Sequence, residues 1–140
     1  MDEEYVKTGK VKFTYKYFPV LDRSDEGESH WAAQAAECAN EQGKFWEYHD
    51  KLFIKWLGEN VGMYQKRLLK KYAADLKLNT AQFNACLDTA KYAAVVQADI
   101  EEGVKLGVGG TPSFFINDKP LEIQSLDFEE FARLIEQNLK

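Results

Sequence analysis

The chain has 140 residues, of which 45% are apolar and 14% aromatic, enough for one core of ordinary domain size. Its formal net charge of −5 argues against nucleic acid or an anionic membrane as partner. No stretch approaches the roughly 18–20 apolar residues of a membrane span. The acidic start Met1-Asp2-Glu3-Glu4-Tyr5 also lacks the basic-then-apolar pattern of a signal peptide.

Taken in order, residues 2–8 read as the last turns of a helix stopped by Gly9. Val11 to Val20 alternates Val11, Phe13, Tyr15 and Tyr17 against Lys12, Thr14 and Lys16, the pattern of a strand with one buried face, closed by Phe18-Pro19. Leu21 to Glu28 is polar and loop-like. Ser29 is the expected N-cap of a helix from His30 to Gln42, with Gly43 as its stop. A second helix, Lys44 to Leu57, places Phe45, Trp46, His49, Leu52, Phe53 and Trp56 on one apolar stripe and ends at Gly58.

Tyr64 to Leu76 reads as a third helix. Asn79 starts a short fourth one with Gln82 in the capping-box position and Phe83, Cys86 or Leu87, and Ala90 inward. Lys91 to Leu106 continues as a long helix. Two short strands follow, Ser113–Ile116 and Leu121–Ile123, joined by the turn Asn117-Asp118-Lys119-Pro120. Ser125 caps a last helix carrying Phe128, Phe131, Ile135 and Leu139 on one face.

The stretch that organises this order is Gly107-Val108-Gly109-Gly110-Thr111-Pro112-Ser113-Phe114-Phe115-Ile116-Asn117. Glycines end the long helix, and a proline stands directly before an apolar strand, where it removes a ladder donor and is tolerated only at the strand's first residue, edge or bulge. A Thr-Pro step that turns sharply into a strand is a candidate for a cis peptide bond.

This segment, with the turn and helix after it, resembles the end of a DsbA-type thioredoxin-fold disulfide oxidoreductase. Lys7-Thr8-Gly9-Lys10-Val11 before the strand ending at Phe18-Pro19, and Ala35-Ala36-Glu37-Cys38-Ala39 through Gln42-Gly43-Lys44-Phe45-Trp46, match the family in the same order. The resemblance covers essentially the whole chain. It implies an α/β, thioredoxin-like fold with an inserted all-helical subdomain: a core from residues 1–20 and 107–140, and an insertion from 21–106. It makes Pro112 a cis-proline, with Gly110, Thr111 and Pro112 as the loop that offers backbone to substrate. It implies no cofactor, and as partners unfolded or disulfide-bearing substrate proteins. The family usually works in the periplasm or otherwise outside the cytoplasm.

The family opens with a strand and a Cys-x-x-Cys motif at a helix start, and neither is in this sequence. By that comparison the chain begins inside the helix and lacks the first core strand, so it is expected to be an N-terminally incomplete oxidoreductase, itself inactive. Loss of a central strand would leave two edges unpaired, and a homodimer through the flanking strands is the expected response.

Cys38 and Cys86 lie 48 positions apart on different predicted helices, and neither has the neighbouring cysteine of a redox motif. They could be two buried inert thiols or a redox-active pair. Some relatives look as if they carry a structural bridge here, which an oxidising compartment would favour and which would contribute roughly 3–4 kcal/mol in the chain-entropy account. His30, His49, Cys38 and Cys86 show no zinc spacing, so no metal is expected, and His49 reads as a hydrogen-bonded core histidine. Glu101-Glu102 and Glu129-Glu130 read as solvated helix faces rather than a hydrolytic pair. Two other functions fit the same fold: a peptide-binding module without catalytic cysteines, and a glutathione-transferase-like relative. The upstream sequence would discriminate among all three.

Overall fold

A computed structural model describes residues 2–22 and 24–139. Met1, Arg23 and Lys140, which fall at the start of the expected first helix, in the expected 21–28 loop and at the chain's last position, lie outside the described residues. The chain divides into two compact units, residues 1–16 with 108–140, and residues 17–107.

The larger unit holds five helices: α1 (Glu28–Asn40), α2 (Phe45–Lys55), α3 (Lys66–Asp75), α4 (Thr80–Asp88) and α5 (Ala93–Lys105). Helix α1 is the hub and packs against the other four. Its buried apolar positions are small, Ala33, Ala35, Ala36, Cys38 and Ala39, beside the buried polar His30 and Gln34. Short side chains let neighbouring helices approach on several sides, and Tyr48, Leu69, Tyr72, Phe83, Leu87 and Val96 fill the core around it.

The start of α1 differs from the expected Ser29 cap. Gly27 is the N-cap residue, and the capping carboxylate comes from Asp22, whose Oδ2 accepts from the His30 N–H at 2.9 Å and lies 3.0 Å from His30 Nδ1. A side chain at residue 27 would collide with Asp22, since an added Cβ would stand 2.2 Å from Asp22 Cγ. Glycine is required there for space. The Glu28 carboxylate accepts from the backbone N–H groups of Gly62 and Tyr64, both at 2.8 Å, and ties the 58–64 loop to the head of α1.

On α2 the buried residue is Tyr48, not His49; Trp46, Phe53 and Trp56 are exposed and Phe45 and Leu52 half-buried. The stripe read from the sequence lies one position off because α2 meets α1 and α3 through its Tyr48 side. His49 Nδ1 stands 3.0 Å from Asp50 on the outer side. Three phenols fasten the unit by donating to backbone carbonyls at 2.9 Å: Tyr48 to Leu69, Tyr64 to Leu52 and Tyr72 to Met63. At α4 the Asn79 side chain accepts from the Gln82 N–H at 3.0 Å, as its sequence position predicts. The reciprocal bond on the Asn79 N–H comes from Gln42 Oε1 at 2.8 Å, across from the end of α1.

In the smaller unit a wide helical turn, Asp2–Val6, is followed by Gly9 at a φ of +75°. Tyr5 is buried there and its ring lies 6.4 Å from Phe128. A two-stranded antiparallel sheet, β1 (Phe115–Ile116) with β2 (Lys119–Pro120), pairs Phe115 with Pro120 and Ile116 with Lys119. Its turn is only Asn117-Asp118, both at positive φ (+49° and +64°), the conformation that a tight type I′ hairpin needs at both central residues. The second strand therefore begins at Lys119, earlier than the expected Leu121, although the Leu121 N–H still reaches the Phe114 carbonyl at 2.8 Å. Helix α6 (Phe128–Asn138) starts from Asp127, with Ser125 bonded to Asp127 rather than capping.

The strand expected at 11–20 is absent. Alternation supplies a sided apolar face, but a strand also needs a hydrogen-bonded ladder, and among the described residues the one ladder is that of β1 with β2. Tyr17, at the far end of that run, is instead buried in the larger unit. There its N–H donates to Asp99 at 3.1 Å and its hydroxyl to Glu37 at 2.8 Å.

Burial raises the Tyr64 phenol up to about 12, the nearby Tyr72 and Glu28 adding to the shift. A phenol raised above its usual value of about 10 contributes stability that is fully present below about pH 10 and is lost as pH climbs towards about 12. Far-ultraviolet circular dichroism under a fixed urea concentration should show stability falling across that window. In Tyr64→Phe the starting stability should be lower by about 1 kcal/mol for the lost hydrogen bond, and the alkaline fall shallower. An unchanged slope in the variant would remove Tyr64 from the account.

Candidate functional site

Gly107 adopts a φ of +76° just past α5, the left-handed conformation that ends a helix without a Cβ penalty. Residues 109–113 are exposed, and the Thr111–Pro112 peptide is cis. The loop is held within its own unit at its C-terminal end. Phe114 stacks edge-on against Phe131 of α6 at 4.8 Å, and the β1–β2 hairpin follows at once. Ser113 Oγ donates to the Gly110 carbonyl at 2.6 Å and closes the loop across the Thr-Pro step.

The far side of the loop is open. A Cβ built on Gly109 or Gly110 would meet nothing within 4 Å. Among the described residues, neither the N–H nor the C=O of Thr111 makes a hydrogen bond. No residue from 107 to 113 carries an ionisable group. What the loop offers is therefore backbone: a donor and an acceptor at Thr111 in a fixed conformation, the equipment for pairing with an extended peptide. Gly110, Thr111 and Pro112, the residues that the resemblance assigns to substrate, lie in this exposed loop. Ser113 was missed, and its position directly after the Thr-Pro step was the available signal, since serine commonly bonds backbone at turns.

Cys38 of α1 and Cys86 of α4 are joined by a disulfide, with their Cα atoms 5.9 Å apart and both residues buried. They are the chain's only two cysteines, so no free thiol remains. Both belong to the larger unit, whereas the Thr-Pro loop belongs to the smaller one. Among the described residues no group of three or more histidine, cysteine or acidic side chains is placed to hold a metal ion. His30 is taken up by Asp22, and His49 by Asp50 and by the rings of Phe45, Trp46 and Phe53.

Compared with known proteins, the chain matches the family described as Thioredoxin across residues 1–137. It is 32% identical over 120 residues to Na(+)/H(+) antiporter NhaA 3 of Salinispora tropica, a match that takes in 83% of this chain and 17% of that protein. It is 27% identical over 143 aligned positions to Probable disulfide bond formation protein D of Bacillus anthracis, covering 100% of this chain and 63% of that protein. The crystal structure of oxidised BdbD from Bacillus subtilis superposes with a TM-score of 0.80 at 25% identity, over 99% of this chain and 74% of that one. The chain thus spans less than two thirds of the length of each of these two curated relatives.

The bridge closes a sequence separation of 48 residues, which in the chain-entropy account contributes about 4 kcal/mol. Urea unfolding with and without reductant should differ by about that amount, and Cys38→Ala with Cys86→Ala should match the reduced protein. A difference below about 1 kcal/mol would mean that packing around α1 holds the helices without it.

Proposed function

This chain belongs to the thioredoxin family, in its DsbA-type branch with a helical insertion, and on that premise we propose that it is the substrate-binding part of a protein thiol–disulfide oxidoreductase. The single observation that carries the reading is an exposed cis Thr111–Pro112 loop with unpaired backbone, in a chain whose two cysteines are both tied up in a buried bridge. The relatives named for disulfide bond formation support protein substrates as the class acted upon.

In this reading the reactive dithiol is a Cys-x-x-Cys pair outside the 140 residues. For oxidation of a substrate, one substrate thiolate attacks the enzyme's disulfide, forming a mixed disulfide and releasing the enzyme's second cysteine as thiolate. The other substrate thiolate then attacks the mixed disulfide, so the substrate loses two electrons and the enzyme pair gains them. Reduction and isomerisation run through the same intermediate. This chain's part is to seat the substrate: the Thr111 N–H and C=O pair with the backbone beside the substrate cysteine and hold its sulfur in line for attack. The chain alone is then inactive in exchange.

A second reading, a peptide-binding module without catalysis, draws on the same absence of a free thiol. Transport is no part of either reading. Among the described residues no helix is long and apolar enough to cross a membrane, and the antiporter match concerns only 17% of that protein.

Two strands of two residues each make a marginal sheet in water. The outer edge of β1 accordingly takes up a further strand, which in the isolated chain comes from a second copy. Light scattering should give the mass of a dimer, and a monodisperse monomer would end that proposal. An insulin-reduction assay tests the main one. The chain as given should be inactive, and an extended version carrying a strand and Cys-x-x-Cys helix before it should be active. If neither version works while both bind unfolded peptide at the Thr111 loop, the binding-module reading replaces the enzyme.

A further inference from the structure

Of residues 107–113, Ser113 is the one whose side chain makes a hydrogen bond. Its Oγ donates to the Gly110 carbonyl at 2.6 Å. That carbonyl shares one planar peptide unit with the Thr111 N–H. The Gly110–Thr111 peptide is trans, the cis peptide being the next one along, so its C=O and N–H point in opposite directions. A hydroxyl fixed on the oxygen therefore also fixes where the nitrogen donates, which is away from Ser113 and out of the loop.

The two sides of the loop differ in how firmly they are held. Among the described residues, Val108, Gly109 and Gly110 make no backbone hydrogen bond, and a Cβ on either glycine would meet nothing within 4 Å. Glycine lacks the Cβ that biases a backbone, so the Gly110–Thr111 unit can swing about its flanking bonds at little cost. Phe114 on the other side is anchored: its ring lies 4.8 Å from that of Phe131, and its carbonyl accepts from the Leu121 N–H at 2.8 Å. Ser113, directly before Phe114, ties the loose arm to the fixed one. The same bond polarises the amide, because an oxygen that accepts a hydrogen bond makes the N–H of its own unit a stronger donor. The Thr111 C=O belongs to the following unit, where the proline ring restricts rotation. Donor and acceptor are thus set by different residues.

We infer that Ser113 is a positioning residue for substrate: its hydroxyl holds the Gly110–Thr111 unit so that the Thr111 N–H faces the incoming peptide strand. The inference rests on the reading of this loop as the substrate seat and adds the residue that orients its donor.

The test uses the chain itself beside Ser113→Ala and Ser113→Thr, the second of which keeps the hydroxyl. The residual dipolar coupling of the Thr111 amide reads the direction of the N–H. Fluorescence anisotropy of fluorescein-labelled, carboxymethylated insulin B chain reads peptide binding. In Ser113→Ala the coupling should fall by about half or more as the unit samples several orientations, and the dissociation constant should rise about fivefold, the ratio one neutral hydrogen bond supports. Ser113→Thr should restore both. All three proteins should melt alike, because Ser113 is exposed. An unchanged coupling in Ser113→Ala overturns the inference. Equal affinities, where the parent chain binds the peptide, overturn it too and leave the oxidoreductase reading standing. A parent chain that does not bind the peptide removes the substrate seat itself, and the inference with it.

Discussion

Everything in the larger unit depends on how closely other helices can approach α1. A helix whose core positions are alanine and one cysteine offers little apolar area of its own, so its burial is effective only when it is enclosed. The large side chains of the neighbours supply the volume, and short side chains on α1 set the small interhelical distances. The Cys38–Cys86 bridge needs the same closeness, because a disulfide spans only Cα separations of about 4.4–6.8 Å. The polar devices follow from it too. Asp22 caps the head of α1, Glu28 draws in the 58–64 loop, and Gln42 reaches from the tail to the head of α4. Each satisfies backbone donors at a helix or loop end that close packing takes away from water.

The smaller unit works on a different scale. Its two strands are two residues long, and its order comes from aromatic contacts, Tyr5 on Phe128 and Phe114 on Phe131, around the strongly amphipathic α6. The Thr111–Pro112 loop is mounted on this frame by its C-terminal side, and its other flank is glycine. That arrangement keeps a short piece of backbone exposed while restricting the conformations it can take. Preorganised donors and acceptors lose less entropy on binding than a free loop would.

The chemistry is divided in a way that the two units make plain. The cysteine sulfur in this chain is buried in the helical unit and bonded to itself. The exposed Thr111–Pro112 loop contains no sulfur and no ionisable group. Within these 140 residues both cysteines are engaged in that bridge, and the exposed loop offers backbone alone.

Periodicity in the sequence determined the helices, because each needs only its own residues to close its hydrogen bonds: the positions of α1 to α6 lie within a few residues of their reading. Local turn chemistry was legible in part, for the expected caps Ser29 and Ser125 do not cap. Asn79 caps α4, and Asn117-Asp118 makes the hairpin turn, since both act within four residues. The Gly-Thr-Pro segment marked the loop for the same reason. What the sequence could not carry was anything that depends on a distant partner. The alternation at 11–17 is a genuine strand pattern, yet no ladder forms there, because a strand is completed by its neighbour. The capping role of Asp22 and the choice of Tyr48 over His49 as the buried face of α2 were decided by which elements meet. Helical spacing defines a stripe, but only the tertiary contacts of α1 determine which side of that stripe is enclosed and which, at Phe53 to Leu57, is left facing outwards.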